Sequence, residues 1–396
     1  MSGNKLKGLI FDWVSKPLEY LLRRIFSVDK RIIVFNSRPD YSDNARALSE
    51  YMIDNGYLKK YNIYWVVEDP KKCRELNPEI EVNFISNKGL KRFSNLYLFT
   101  RANYIFATHV LPYYTTSNNR GQHFVNLWHG CGYKDKDYNH KKRKSDIPRF
   151  DKALVAGPLF VRTKSYCWNL PQEQIIAKGY PRYDWLIRPT RAAKSLCECM
   201  KGANSKVVIW MPTFRVDKYG LRNDSNNMVN FPLLQDEKDW VKLDEFCREE
   251  KIILIVKLHI YQKDYDVNWG KFLNIRNVSN SDFEKMGVSM YSFLAVTDGL
   301  ISDYSSVAVD YIIVDKPIAF ALEDYDLYND SRGFVFENPK MYMPGHHLYD
   351  IEDLKNFLCD ISANRDPFKM NRKRLYDNLI YRSKHYCKDI ADILDL

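Results

Sequence analysis

The sequence predicts an α/β protein of two doubly wound, mostly parallel domains, and three observations carry that expectation. Short apolar runs alternate with helical patterns along most of the chain. The alternation loosens near residues 185–205 and then restarts. The length of 396 residues exceeds one ordinary domain and suits two. A hydrophobic content of 45% is ample for sizeable cores, and 14% aromatic residues argue against disorder. In sheets of this kind ligands lie at the carboxyl ends of the strands, so functional side chains are sought there.

Residues 1–28 stand apart as an amphipathic segment. Lys5 to Phe26 sets Leu6, Leu9, Ile10, Trp13, Val14, Leu18, Leu21, Leu22 and Ile25 at helical spacing, with Pro17 as a kink. Lys5, Lys7, Lys16, Arg23 and Arg24 occupy the other face. A basic helix with Trp and Phe on its apolar side suits a membrane interface. The same pattern serves a helix packed on its own domain or on a second copy of the chain, so a homo-oligomer stays open. No apolar run approaches the ~20 residues that span a bilayer. Asp12, Lys16 and Glu19 interrupt the first apolar stretch, and no small-residue cleavage site follows, so no signal peptide is expected.

The first domain is expected over residues 29–190. Arg31–Asn36 reads as a buried strand, Ser42–Asn55 as a helix stopped by Gly56, and Asn62–Glu68 as the next strand. Val82–Ile85, Tyr104–Thr108, Phe124–Trp128 and Ala153–Ala156 continue the pattern. The second domain is expected over residues 205–365, beginning with the strand Val207–Met211 and including Ile252–Leu258. Residues 366–396 are expected as C-terminal helices.

One stretch, Leu294–Phe320, organises the second half. Leu294–Ile301 reads as a buried strand, Ser302-Asp303-Tyr304-Ser305-Ser306 as a polar turn, and Val307–Val314 as a buried helix. Lys316-Pro317 ends that helix, and Ile318–Phe320 reads as the following strand. The first amides of such a helix lack partners, and its dipole favours anions. The hydroxyls of Ser305 and Ser306 beside those amides would make a phosphate seat. Alternatively, Asp303 or Ser305 only caps the helix.

Two histidines close strands. His129 follows Asn126-Leu127-Trp128 and precedes two glycines, and His259 follows Lys257-Leu258. Either one alone suits a hydrogen-bonded structural histidine. Together, one per half and beside a phosphate seat, they are read as functional, with His129 as a general base. Pro212, Thr213 and Arg215 end another strand, and Arg332 lies in a turn before Gly333. Both arginines are candidates for a diphosphate, or for ordinary surface salt bridges. Lys141-Lys142-Arg143-Lys144 is a solvated loop or a steering patch for an anionic partner.

The formal net charge of +10 favours a polyanionic substrate, anionic lipid or nucleic acid. Basic residues are not interleaved with aromatics in any recognisable nucleic-acid module, so nucleic acid is not expected. The eight scattered cysteines are read as reduced thiols in a cytosolic protein. Cys-His spacing, paired carboxylates at metal-binding spacing, Gly-x-Gly-x-x-Gly and P-loop patterns are all missing, so neither metal nor cofactor is expected.

From about Val34 to Asp353 the chain resembles the CDP-glycerol glycerophosphotransferase family of teichoic-acid and capsule synthesis. Leu127-Trp128-His129-Gly130 resembles the family's Trp-His-Gly motif, and Lys178-Gly179-Tyr180-Pro181-Arg182-Tyr183-Asp184 is similar to its Gly-x-Pro-Arg-x-Asp segment. Pro212-Thr213-Phe214-Arg215, His259, Ser302–Ser306 and Arg332-Gly333 look like the remaining blocks, in the same order. After Trp-His-Gly the family usually continues Thr-Pro-Leu-Lys, where this chain has Cys131-Gly132-Tyr133-Lys134.

The resemblance implies a GT-B fold: two Rossmann-like domains facing a central cleft, the nucleotide held by the C-terminal one. It implies a peripheral enzyme on the cytoplasmic face of the bacterial membrane. Such an enzyme moves glycerol phosphate from CDP-glycerol, or another CDP-polyol, to a hydroxyl of an anionic polymer or lipid-linked acceptor, releasing CMP. His129 and His259 are then catalytic, and Pro212, Thr213, Arg215, Asp303, Ser305, Ser306 and Arg332 bind the donor. Gly130, Lys134, Arg182 and Asp184 face the acceptor. The rival readings are a GT-B glycosyltransferase using a nucleotide sugar, and a non-catalytic basic protein that binds membrane or nucleic acid.

Overall fold

Val- and Ile-rich runs in this chain become parallel strands covered on both faces, which is why they read as continuous apolar segments rather than alternating ones. The computed structural model describes residue 15 and residues 17–89, 91–109, 121–134, 150–201, 205–212, 231–234, 236–258, 267–331 and 333–396. The chain forms two units, one of Met1–His129, Lys142–Arg182 and Ser383–Leu396, the other of Gly130–Lys141 and Tyr183–Arg382.

The first unit holds β1 (Asp29–Asn36), β2 (Asn62–Val67), β3 (Asn83–Ser86), β4 (Ala102–Ala107), β5 (His123–Asn126), β6 (Lys152–Leu154) and β7 (Ile175–Ile176). They pair in parallel in the order β3-β2-β1-β4-β5-β6-β7. The second unit holds β8 (Lys206–Trp210), β9 (Ile252–Val256), β10 (Ile275–Asn277), β11 (Gly299–Ser302), β12 (Ile318–Ala321) and β13 (His346–Leu348). Its parallel order is β10-β9-β8-β11-β12-β13. Each sheet builds outward from its first strand, then restarts on that strand's other side. The restarts fall between β1 and β4 and between β8 and β11, where doubly wound sheets bind ligands.

Local chemistry explains the helices between strands. Gly56, at φ 78°, ends the helix Asp43–Asp54 in a conformation that costs glycine nothing. Asp236 caps Glu237–Glu249 by accepting the amides of Lys238 and Asp239 at 2.8 and 3.1 Å. Trp240, Leu243 and Cys247 of that helix pack with Val208, Trp210, Leu254 and Val256 of the second sheet. The last helix, Tyr386–Ile393, belongs to the first unit, where Cys387 Sγ lies 3.4 Å from the Pro181 carbonyl oxygen. All eight cysteines are unpaired thiols.

Leu294–Ile301 is not one strand. Leu294 ends the helix Met290–Leu294, and β11 begins only at Gly299. Both pieces are buried, and a short apolar run cannot separate a buried helix end from a buried strand by periodicity.

The amphipathic segment is described at Ser15 and from residue 17, and its residues 17–25 are helical; Lys5 to Val14 and Lys16 lie outside the described residues. One face meets the first unit: Glu19 is buried and paired with Arg23 at 2.8 Å, and Phe26 meets Tyr97 edge-on at 4.9 Å. Tyr20, Leu21 and Ile25 are 59%, 52% and 61% exposed. Among the described residues no helix is long and apolar enough to cross a membrane.

Two glycines in the second unit are held by close approach. A β-carbon on Gly345 would sit 2.1 Å from the Ile318 carbonyl oxygen, and one on Gly299 would sit 2.3 Å from Ile361 Cδ1. Backbone in a sheet cannot yield, whereas the end of an isoleucine can turn. Gly345→Ala should therefore lower the melting temperature more than Gly299→Ala, the former costing about 1–3 kcal/mol as overpacking does. Differential scanning calorimetry of the two variants checks the ranking, and equal melting points would contradict it.

Candidate active site

β5 ends at Asn126, and the backbone then leaves the sheet: Trp128 has φ 53° and Gly130 φ 129°. A left-handed tryptophan costs about 1–2 kcal/mol, so this turn is held by its surroundings. The turn presents His129, whose ring is fixed from behind. His129 Nδ1 lies 3.1 Å from the carbonyl oxygen of Thr108, just past the end of β4. A carbonyl can only accept, so Nδ1 carries the proton and Nε2 is left as a base.

The His109 ring stacks on His129 at 4.4 Å and 10°, and the Thr108 hydroxyl bonds His109 Nδ1 at 2.9 Å. Burial, then the neighbouring His109, push the His129 pKa down to about 4, against a smaller opposing pull from the Thr108 carbonyl. The imidazole is thus neutral at pH 7.

Arg182 is 1% exposed. Its guanidinium pairs with the Asp43 carboxylate and donates to the His129 carbonyl oxygen at 3.1 Å. Gly130 is half-buried, Lys134 forms an isolated antiparallel bridge with Phe334, and Asp184 pairs with Arg188 at 3.3 Å.

In the second unit the strand ends are tied side by side. Lys257 N–H donates to the Trp210 carbonyl at 2.9 Å, Met211 N–H to that of Ile301 at 2.8 Å, and Ser302 Oγ to that of Met211 at 3.1 Å. Pro212, Lys257 and Asp303 therefore lie along one edge, all buried. Ser305 holds the N-cap position of the helix Ser306–Tyr311, yet its side chain makes no capping bond. Ser305 and Ser306 are both half-buried. The helix is anchored by buried Asp310, which accepts from the hydroxyls of Tyr183 and Tyr291. Gly132 packs against its start, where a β-carbon would lie 2.9 Å from the Ser306 nitrogen. Thr213, Arg215, His259 and Arg332 lie outside the described residues.

Lys257 was not singled out by its sequence, although a lysine closing the run Ile252–Val256 is the available signal. It is 7% exposed, and among the described residues no acceptor partners its ammonium group. Burial alone pulls its pKa down to about 8. His109 was also missed, because nothing local marks a ring that stacks on a residue twenty positions later. Among the described residues no group of three or more His, Cys, Asp or Glu side chains is arranged to hold a metal.

Residues 18–385 match the family described as CDP-glycerol:poly(glycerophosphate) glycerophosphotransferase. The chain is 24% identical over 371 residues to the teichoic acid ribitol-phosphate polymerase TarL of Staphylococcus aureus, covering 86% of this chain and 60% of that protein. It is 24% identical over 353 residues to the teichoic acid glycerol-phosphate primase of Bacillus subtilis, covering 85% and 84%. The chain thus spans less than two thirds of the polymerase's length but most of the primase's.

A structure of the wall teichoic acid polymerase TagF superimposes with a TM-score of 0.73 at 19% identity, covering 100% of this chain and 98% of that one. The UDP-GlcNAc 2-epimerase of Neisseria meningitidis gives 0.54 at 10% identity, covering 92% and 99%. These likenesses show the GT-B type of fold, with its two Rossmann-like sheets. The match over residues 18–385 is narrower than the fold: the chain belongs to the CDP-glycerol:poly(glycerophosphate) glycerophosphotransferase family.

Proposed function

We propose that the chain transfers glycerol phosphate from CDP-glycerol to a hydroxyl of a teichoic-acid-type polymer or its lipid-linked precursor, releasing CMP. The family match across residues 18–385 is the observation that carries this reading. The acceptor oxygen attacks the phosphorus bearing the glycerol, the bond from that phosphorus to the bridging oxygen breaks, and CMP departs with the electron pair. Little covalent chemistry is asked of the protein, so positioning and charge neutralisation dominate.

His129 Nε2 takes the acceptor's proton, and the Thr108 carbonyl holds the tautomer that makes this possible. Gly130, Lys134 and Asp184 meet the acceptor, while Arg182 acts from behind the His129 turn. The donor diphosphate rests on the second unit, at Pro212, Asp303, Ser305 and Ser306, joined by Thr213, Arg215 and Arg332. His259 contacts the diphosphate and assists the departing phosphate. We add Lys257 to this set. An ammonium group buried with no counter-ion among the described residues is costly, and a bound diphosphate would remove that cost.

Released CMP, measured with CDP-glycerol against UDP- and GDP-sugars, tests the reaction. His129→Ala should lower turnover on the order of a hundredfold or more in a folded protein. The base is the neutral imidazole, which persists as pH falls until the ring protonates. The acid limb of kcat/KM should therefore fall near pH 4, well below histidine's ordinary 6.5. An acid limb near 6.5, absent from no variant but His129→Ala, would show that the ring is not held as described.

For the donor, Lys257→Met and the double change Ser305→Ala with Ser306→Ala should each weaken CDP-glycerol binding in calorimetric titration. Lys257 is cationic below its lowered pKa, so kcat/KM should decline above about pH 8, and Lys257→Met should lose that limb. Unchanged affinity in Lys257→Met would remove the residue from the site.

We further propose that the chain docks on the inner membrane face through the segment Lys5–Phe26. The exposed Tyr20, Leu21 and Ile25 support this, and Arg24 stands over the Tyr20 ring at 4.4 Å. Leu21→Asn with Ile25→Asn alters only exposed side chains, so the fold should be kept. The variant should sediment less with phosphatidylglycerol vesicles than the parent chain. Equal sedimentation would move the contact elsewhere, for instance to Lys141–Lys144.

A further inference from the structure

The geometry points to Asp43, Asn44 and Arg182 as a positioning clamp that sets where His129 presents its base, an inference resting on His129 being that base. Three consecutive carbonyls of the turn after β5 receive donors from two side chains. Asn44 Nδ2 donates to the Leu127 oxygen at 3.1 Å and to the Trp128 oxygen at 2.8 Å. Arg182 Nη1 donates to the His129 oxygen at 3.1 Å. The two donors are themselves linked, since the Arg182 amide donates to Asn44 Oδ1 at 3.3 Å. Asp43 supplies the countercharge that makes a buried guanidinium tolerable. Asn44 is fully buried and Arg182 nearly so.

The arrangement fits the turn it holds. Trp128 is left-handed and Gly130 lies at φ 129°, so the backbone here does not persist without support. With the carbonyls clamped on one side and Nδ1 fixed by Thr108 on the other, the ring has one place to be. A reacting group misplaced by about 1 Å costs on the order of a hundredfold in rate, which is the scale on which such a clamp matters.

The clamp also carries charge. Asp43 favours the imidazolium form of His129 and Arg182 disfavours it, while His109 disfavours it from the ring's stacked face and the Thr108 carbonyl favours it. Removing Asp43 or Arg182 should thus move the base's titration in opposite directions. A residue that merely supports the fold would not do this.

The test compares Asn44→Asp, Arg182→Met, Arg182→Lys and Asp43→Asn, each checked for a parental circular dichroism spectrum. Asn44→Asp replaces two donors by an acceptor at nearly constant volume. It should lower kcat by about tenfold or more while KM for CDP-glycerol stays within about twofold. Arg182→Met should behave likewise with its acid limb moved to higher pH, and Asp43→Asn should move the limb to lower pH. Arg182→Lys, which keeps a cation and one donor, should recover part of the lost kcat and also guards against a Met variant that fails to fold. Normal kcat in folded Asn44→Asp, or acid limbs that move together, would overturn the clamp. Normal turnover in His129→Ala would instead overturn the base, so the two failures are distinguishable.

Discussion

A side chain that works at the end of a strand requires the backbone to leave the sheet, and the carbonyls that leave with it must find new partners. A buried carbonyl without one costs about 1–3 kcal/mol. At the end of β5 the problem arises three times in succession, at Leu127, Trp128 and His129, and Asn44 and Arg182 answer all three. Everything else about this site follows from that turn being held. The imidazole meets the Thr108 carbonyl because its backbone is fixed, and its free nitrogen is Nε2 because Nδ1 is engaged.

The doubly wound order explains why the clamp draws on distant parts of the chain. Restarting the sheet beside its first strand places the loop after β1 near the loops after β4 and β5. Asp43 and Asn44 come from the first loop and its helix, Thr108 and His109 from the second, and His129 from the third. The second sheet repeats this order. The ends of β9, β8 and β11 accordingly bring Lys257, Pro212 and Asp303 to one edge.

Much of the fold was legible in the sequence because strands buried on both faces leave a plain trace. β1, β8 and β9 each hold an unbroken apolar run rich in Ile and Val, and the glycine at 56 marks a helix end. The shortest and most polar strands left none: β7 has two residues, and β13 is His-His-Leu. Leu294–Ile301 misled because burial makes helix ends and strands equally apolar. His129 was legible through its place after an apolar run and before two glycines. Its supports were not, since Asn44 meets Leu127 across 83 positions and Arg182 meets Asp43 across 139. Tertiary pairing of that range has no local signature. Lys257 was hidden differently: burial, and not residue type, makes it unusual.

Burial lowers the proton affinity of both His129 and Lys257, and the consequences are complementary. The histidine becomes neutral and ready to accept a proton, but it is a weak base at about 4. The lysine stays largely cationic at neutral pH, and no anion among the described residues pairs with it. In each case the missing element is negative charge, and the proposed substrates carry it. In the proposed reaction a phosphate-bearing acceptor beside His129 would stabilise the imidazolium and strengthen the base. A diphosphate beside Lys257 would likewise secure the charged form of the lysine. On this reading each group would be tuned by the substrate it serves. On the proposed reaction this would favour transfer to the polymer over transfer to water, because water brings no charge to the site.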